Sequence, residues 1–184
     1  MPQTEDLAAL VARLSDRVRE LEDAERIREL QQDYWRAIDL KQPDALRRLF
    51  APGEIHIEFE DMPVWRDRDA FVRFFIELGM DPARQENHFG LNPIIRFEGA
   101  DAAAATWRLH MFAYNYDTRT VIRISGLYDA RYARQDGRWW IMALLFKRHS
   151  IFSEQVGADG AVAAPDFGTV SSEAAAHLFG EPGA

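Results

Sequence analysis

No cysteine occurs among the 184 residues. Disulfides, thiolate metal sites and a cysteine nucleophile are thereby excluded. Long apolar runs are missing too, and nothing approaches the ~20 consecutive apolar residues that a membrane-spanning helix needs. The opening MPQTEDLAAL is acidic and has no basic region ahead of an apolar stretch, so no secretory leader is expected. Basic charge is in deficit, with 22 Lys and Arg against 30 Asp and Glu and a formal net charge of -8. Nucleic acid and anionic membrane both favour a basic face, so neither is expected as a partner. Together these absences lead us to expect a soluble, cytoplasmic protein. Gly-rich phosphate loops, a GxSxG elbow and a dinucleotide fingerprint are absent as well. His56, His88, His110 and His149 lack the H-x-x-x-H or H-E-x-x-H spacing of a helical metal site, so neither a metal nor another cofactor is expected.

What is present is apolar and aromatic. Hydrophobic residues make up 47% of the chain and aromatics 12%, enough for one packed domain and an apolar cavity. Residues 4–40 contain neither Gly nor Pro. Leu7, Val11, Leu14, Val18 and Leu21 recur at alternating steps of four and three, the signature of an amphipathic helix that packs on its own domain or on a neighbouring subunit. A second helical pattern follows through Ile27, Leu30, Tyr34, Ala37 and Ile38, and Lys41-Gln42-Pro43 ends it. A short helix is expected over 44–50, strands over 55–59 and at Val64-Trp65, and a helix over 68–78.

From residue 86 the period changes to two. Strands are expected over 86–98, 102–116, 120–134 and 138–152, with a strong hairpin signal at Asp136-Gly137. Helices followed by an antiparallel meander imply an α+β domain. Beyond Phe152 the composition turns to Gly, Ala, Pro and Ser. The segment 153–184 therefore reads as a largely irregular extension, with a short helix at 171–179.

Several residues stand out against this background. In the strand around ENHFGLNPII, alternation places His88, Gly90, Asn92 and Ile94 on one face. A polar pair on a buried face needs a partner or a purpose. Asp39 ends a helix, where the macrodipole disfavours a carboxylate by roughly 0.3–1 kcal/mol. A histidine would satisfy it: the carboxylate accepts one ring N–H, fixes the tautomer and frees the other nitrogen as a base. Tyr34 lies five residues earlier and can border the same cavity. Asn92 either binds substrate or satisfies a bulge beside Pro93. His110 and Phe112 share one face of their strand and line a mixed pocket or meet a neighbouring subunit. Trp35 joins Phe112 as aromatic lining for an apolar substrate. Arg148 is favoured as the inward member of the Arg148-His149 pair, an anion or leaving-group contact.

The stretch LEDAERIRELQQDYWRAIDLKQPDALRRLFAPG, with its Y-x-x-A-x-D and LFAP, resembles the opening of SnoaL-like proteins of the nuclear transport factor two-like superfamily. NHFGLNPIIRFEGADAAAATW, GLYDARYARQDGRWWI and KRHSIF resemble its characteristic strands, and the likeness spans roughly residues 20–152. The fold this resemblance implies is a cone-shaped α+β barrel: a strongly curved mixed sheet wrapped around helices, with a deep apolar pocket. Within the superfamily the chain is similar to scytalone dehydratase, bile-acid 7α-dehydratase and hexachlorocyclohexane dehydrochlorinase. The resemblance therefore implies a cofactor-independent lyase acting on a small, largely apolar cyclic substrate. His88 would be the base, Asp39 its partner, and Tyr34 and Arg148 assistants, with His110 as a second pocket histidine. A polyketide cyclase, an isomerase, or a non-catalytic binding protein or dioxygenase β-type subunit are the alternatives the same fold allows. The implied organisation is an N-terminal amphipathic helix over 1–22, the α+β domain over 23–152, and the extension over 153–184. On composition, the extension either packs Phe167 or the Leu178-Phe179 pair on the pocket mouth as a lid or forms a loose surface tail. A homo-oligomer is expected, a trimer ahead of a dimer, because the sheet offers Trp107, Leu109, Met111, Trp139 and Ile141 as apolar area in need of cover.

Overall fold

A computed structural model describes residues 7–60, 62–161 and 166–167. Helix α1 spans Leu7–Asp39 without interruption. The two expected helical patterns run together because no Gly or Pro separates Leu21 from Ile27. The helix ends in a Schellman turn: Lys41 takes φ 55°, its N–H bonds Ile38 O at 3.0 Å, and Gln42 N–H bonds Ala37 O at 2.8 Å. Lys41 is not the usual glycine, but its ammonium is held by the carbonyls of Asp81 and Arg84. That grip brings the last turn of α1 against the start of strand β3.

Helix α2 (Pro43–Arg47) follows, shorter than expected, then strands β1 (Glu54–Phe59) and β2 (Trp65–Asp67). Helix α3 (Arg68–Gly79) is capped by Asp67, whose carboxylate accepts the Ala70 N–H at 2.8 Å. Four long strands complete the sheet: β3 (Arg84–Phe97), β4 (Ala102–Asn115), β5 (Thr120–Gln135) and β6 (Arg138–Gln155). Asp136 and Gly137 both take positive φ, as a type I′ hairpin turn demands. The order is β2-β1-β6-β5-β4-β3, antiparallel except for the parallel β1–β6 pair. A two-residue strand, β7 (Asp166–Phe167), pairs with β6 at Phe152 and Ser153. The fold is α+β, a mixed, open sheet with helices packed against it.

The inward side chains of β4 are Ala103, Ala105, Trp107 and Leu109, all buried. Trp107, Leu109, Trp139 and Ile141 therefore form no open face awaiting a neighbour. They belong to the core with Ile27, Leu30 and Tyr34. A buried carboxylate ties α1 to the sheet. Asp23 accepts hydrogen bonds from Arg134 at 2.8 Å, Trp139 Nε1 at 3.0 Å and Arg26 at 2.9 Å. Among the described residues no helix is long and apolar enough to cross a membrane. The expected helix at 171–179 and its Leu178-Phe179 pair lie outside the described residues.

Candidate active site

Asp39 is the last residue of α1, and His88 lies in β3, the edge strand that Lys41 draws alongside. Asp39 Oδ1 is 2.6 Å from His88 Nδ1, and Asp39 Oδ2 accepts the His88 backbone N–H at 3.0 Å. An ionised carboxylate can only accept, so Nδ1 carries a proton, and in the neutral ring Nε2 presents a lone pair. No described residue hydrogen-bonds Nε2. The His88 side chain is 6% exposed, and it borders a cavity of about 210 Å³. The unfavourable place of a carboxylate at a helix C-terminus is thus offset by two donors from one residue.

The rest of the cavity wall is aromatic and aliphatic. Phe71, Phe74, Phe75 and Leu78 come from α3, with Ile38, Leu109, Met111 and Phe146 completing the lining. Two buried phenols, Tyr34 and Tyr128, also border it. Tyr34 faces Tyr128, with ring centroids 6.3 Å apart, yet its hydroxyl has no well-formed hydrogen bond. Burial holds the Tyr34 phenol well above its ordinary pKa, and Tyr128, Glu86 and Asp39 push the same way. Burial likewise raises Tyr128. Both phenols therefore stay protonated around neutrality. The two hydroxyls lie close enough to influence each other, and the Tyr34 O–H, which has no well-aligned acceptor among the described residues, is available to whatever occupies the cavity. Glu86 and Arg84 line the mouth as an ion pair at 2.6 Å.

His88, Asp39 and Tyr34 thus come together as expected, while five other candidates lie elsewhere. Asn92 is exposed at a bulge, where Leu91 pairs with Arg108 but Ile94 with Thr106, and its φ is 48°. The extra residue reverses the alternation: Ile95 and Phe97 turn inward, and Ile94 turns out. Trp35 is 1% exposed and packs edge-on against Trp107, with centroids 5.4 Å apart, in the core rather than on the cavity wall. His110 pairs with Phe89, whereas His88 pairs with Met111. The two histidines therefore occupy opposite faces of the sheet. His110 and Phe112 line a separate hollow of about 420 Å³ on the outer face, closed by a Ser125–Ser150 hydroxyl pair and an Arg123–Glu154 ion pair. That hollow holds no pair comparable to Asp39–His88.

Arg148 is exposed, as are its neighbours Lys147 and His149. A bulge shifts the register there, so that Ser125 faces Ser150 but Gly126 faces Arg148. The Arg148 backbone N–H and guanidinium meet Glu60, at 2.8 and 3.4 Å. Phe146 takes the inward place expected for Arg148.

Glu86, Arg84, Tyr128 and the α3 phenylalanines were not singled out from sequence. Glu86 is two residues before His88, so period two alone marks it as facing the same way. Tyr128 and Tyr132, four apart on β5, carry the same signal. The α3 phenylalanines fall on one helix face by spacing, but spacing does not say what that face meets.

Comparison with known proteins adds the following. The family model described as a SnoaL-like domain matches residues 19–144. No curated protein sequence matches the chain. Among solved structures, a hexachlorocyclohexane dehydrochlorinase of type 3 from Novosphingobium barchaimii is 18% identical, covers 73% of this chain and 91% of its own, and superposes with a TM-score of 0.65. A protein provisionally named scytalone dehydratase from Novosphingobium aromaticivorans is 19% identical, covers 72% and 88%, and has a TM-score of 0.67. A nuclear transport factor two-like superfamily protein from Salmonella enterica serovar Typhimurium is 20% identical, covers 67% and 89%, and has a TM-score of 0.61. At these identities the likeness establishes the fold.

Proposed function

This chain belongs to the SnoaL-like domain family, and we propose that within it the protein is a cofactor-independent lyase, a cytoplasmic homo-oligomer acting on a small apolar cyclic substrate. One observation carries the reading. The Asp39–His88 pair, 2.6 Å apart, borders an otherwise apolar cavity with Nε2 unpartnered. Support comes from the structural neighbours, whose names denote elimination of hydrogen chloride or of water.

In the proposed step, His88 Nε2 removes a proton from carbon α or vinylogous to a carbonyl, or otherwise acidified by the leaving group. The C–H electron pair becomes the new C=C bond, and hydroxide or halide leaves the adjacent carbon with its own bonding pair. Asp39 stabilises the imidazolium that forms. Tyr34 and Tyr128, still protonated, donate to the developing oxyanion or leaving group. The imidazolium proton then neutralises hydroxide, or is lost to solvent after halide departs. The cavity volume of about 210 Å³ suits one or two rings.

Two measurements test this. Nitrobenzisoxazole, which opens when a base removes its ring C–H, should react faster with the protein than with free imidazole at equal concentration. Chlorinated or β-hydroxylated cyclic compounds should then release halide or water together with a new olefin absorbance. A bound ligand that never reacts, with no acceleration of the benzisoxazole, would identify a binding protein instead. Double-bond migration without a leaving group would identify an isomerase.

The homo-oligomer reading rests on the outer face of β3 and β4, where Phe89, Leu91, Ile94 and Tyr114 are exposed. Sedimentation equilibrium at micromolar concentration should give a mass above that of one 21.2 kDa chain. A monomer there removes the assembly from the proposal.

A further inference from the structure

Helix α1 carries two apolar stripes. The second, through Ile27, Leu30 and Tyr34, is buried in the domain. The first, Leu7, Val11, Leu14, Val18 and Leu21, is 53–71% exposed. At ~100° per residue, Leu14 and Tyr34 lie roughly 160° apart around the helix. The first stripe thus points away from the body that the second one grips. Among the described residues nothing covers it.

The spacing says what fits. Steps of four, three, four and three keep one seam of a two-stranded coiled coil, with Val11 and Val18 at a and Leu7, Leu14 and Leu21 at d. A β-branched residue at a with leucine at d favours two parallel strands. Val11, Leu14, Ser15 and Val18 border a shallow hollow on the helix surface. Positions i, i+3, i+4 and i+7 are the four that frame the hole for an incoming d side chain. Charge fixes the direction. In this register Arg17 occupies g and Glu22 the following e, the two positions that meet across a parallel pair. An antiparallel pair would lose that match, setting Arg17 against Leu10 or against the other copy's Arg17 according to its register. Within the chain these residues make only exposed contacts, Arg17 with Glu20 and Glu22 with Arg26 at 3.4 Å, which cost little to rearrange.

We propose that residues 7–21 pair, parallel and in register, with the same segment of a second copy of this chain. A coiled coil of this length is marginal in isolation. Here the helix is already nucleated, since its C-terminal half is fixed in the folded domain. The pairing is independent of the lyase reading and of the outer sheet face, and it joins two subunits whatever else the assembly uses.

The absence of cysteine makes the test clean. Leu14→Cys and Leu21→Cys are made singly in the full chain, with Asp16→Cys, on the opposite side of the helix, as control. Under a glutathione redox buffer, both leucine variants should form a disulfide-linked dimer, and the control should lag well behind. Arg17→Glu in either background should slow cross-linking about tenfold, and adding Glu22→Arg should restore it. Cross-linking at only one of the two positions overturns the parallel register. No preference over Asp16→Cys, or no response to the charge reversal and its swap, overturns the pairing itself.

Discussion

Replacing His88 with alanine should lower kcat by about 10³-fold or more while leaving the fold in place. A positioned general base contributes about 10²–10⁴-fold, and nothing else on the cavity wall offers an unprotonated nitrogen. Glu86 is occupied by Arg84 at 2.6 Å, and burial keeps the two phenols protonated. The fold should tolerate the change because Asp39 keeps one of its two donors. The backbone N–H of residue 88 reaches Oδ2 at 3.0 Å whatever the side chain.

Asp39→Asn is the more informative partner experiment. Two donors face the two carboxylate oxygens, but an asparagine offers only one acceptor. If its oxygen keeps the backbone N–H, its amide N–H turns to His88 Nδ1. The ring proton must then move to Nε2, and the base is lost. The alternative rotamer breaks the tie between helix and strand. Either way kcat should fall by roughly 10²–10⁴-fold, with KM and the far-UV spectrum nearly unchanged. Wild-type turnover in both variants, measured on a substrate found by halide or water release, would remove His88 from the chemistry.

The Asp39–His88 pairing was legible because two local rules conflicted. A carboxylate sat where the helix dipole opposes it, and an imidazole sat on an apolar strand face. Each anomaly called for a partner, and the two satisfy one another. The β3–β6 meander was legible for a plainer reason: period two and an Asp-Gly turn hold through all four strands. Two of the failed assignments depended on alternation carried across a bulge. Asn92 and Arg148 each lie at a one-residue register slip, and a slip reverses every side chain beyond it. The cavity's aromatic wall was hidden differently. The spacing of Phe71, Phe74 and Phe75 puts them on one helix face, but which surface that face meets is a tertiary fact that spacing does not encode. The opposed stripes of α1 show the same limit, since the sequence reads as two helices when only their facing differs.

Gly90→Ala should be among the most damaging single substitutions on the chain. Gly90 sits on β3 two residues past His88, facing inward. A Cβ built there would lie 1.8 Å from both Cη2 and Cζ3 of Trp35, less than half an ordinary contact. Trp35 has nowhere to retreat. It is held edge-on to Trp107 and Tyr128, at 5.4 and 6.2 Å between centroids, deep in the core. Either the indole or the strand must shift, and overpacking of this kind costs about 3 kcal/mol or more. For a domain of this size the melting temperature should drop by roughly 6–12 °C. Activity should fall further than stability alone explains, because a strand that backs away from α1 carries His88 away from Asp39. Trimming the indole isolates the cause. Trp35→Leu alone opens a void and destabilises, but combined with Gly90→Ala it should recover a substantial part of both melting temperature and turnover. That non-additivity is expected of two side chains competing for one space. If Gly90→Ala melts like the wild type, or if the double variant is simply the sum of the singles, Trp35 does not pack on Gly90. The close approach of α1 to β3 that sets the Asp39–His88 distance would then need another origin.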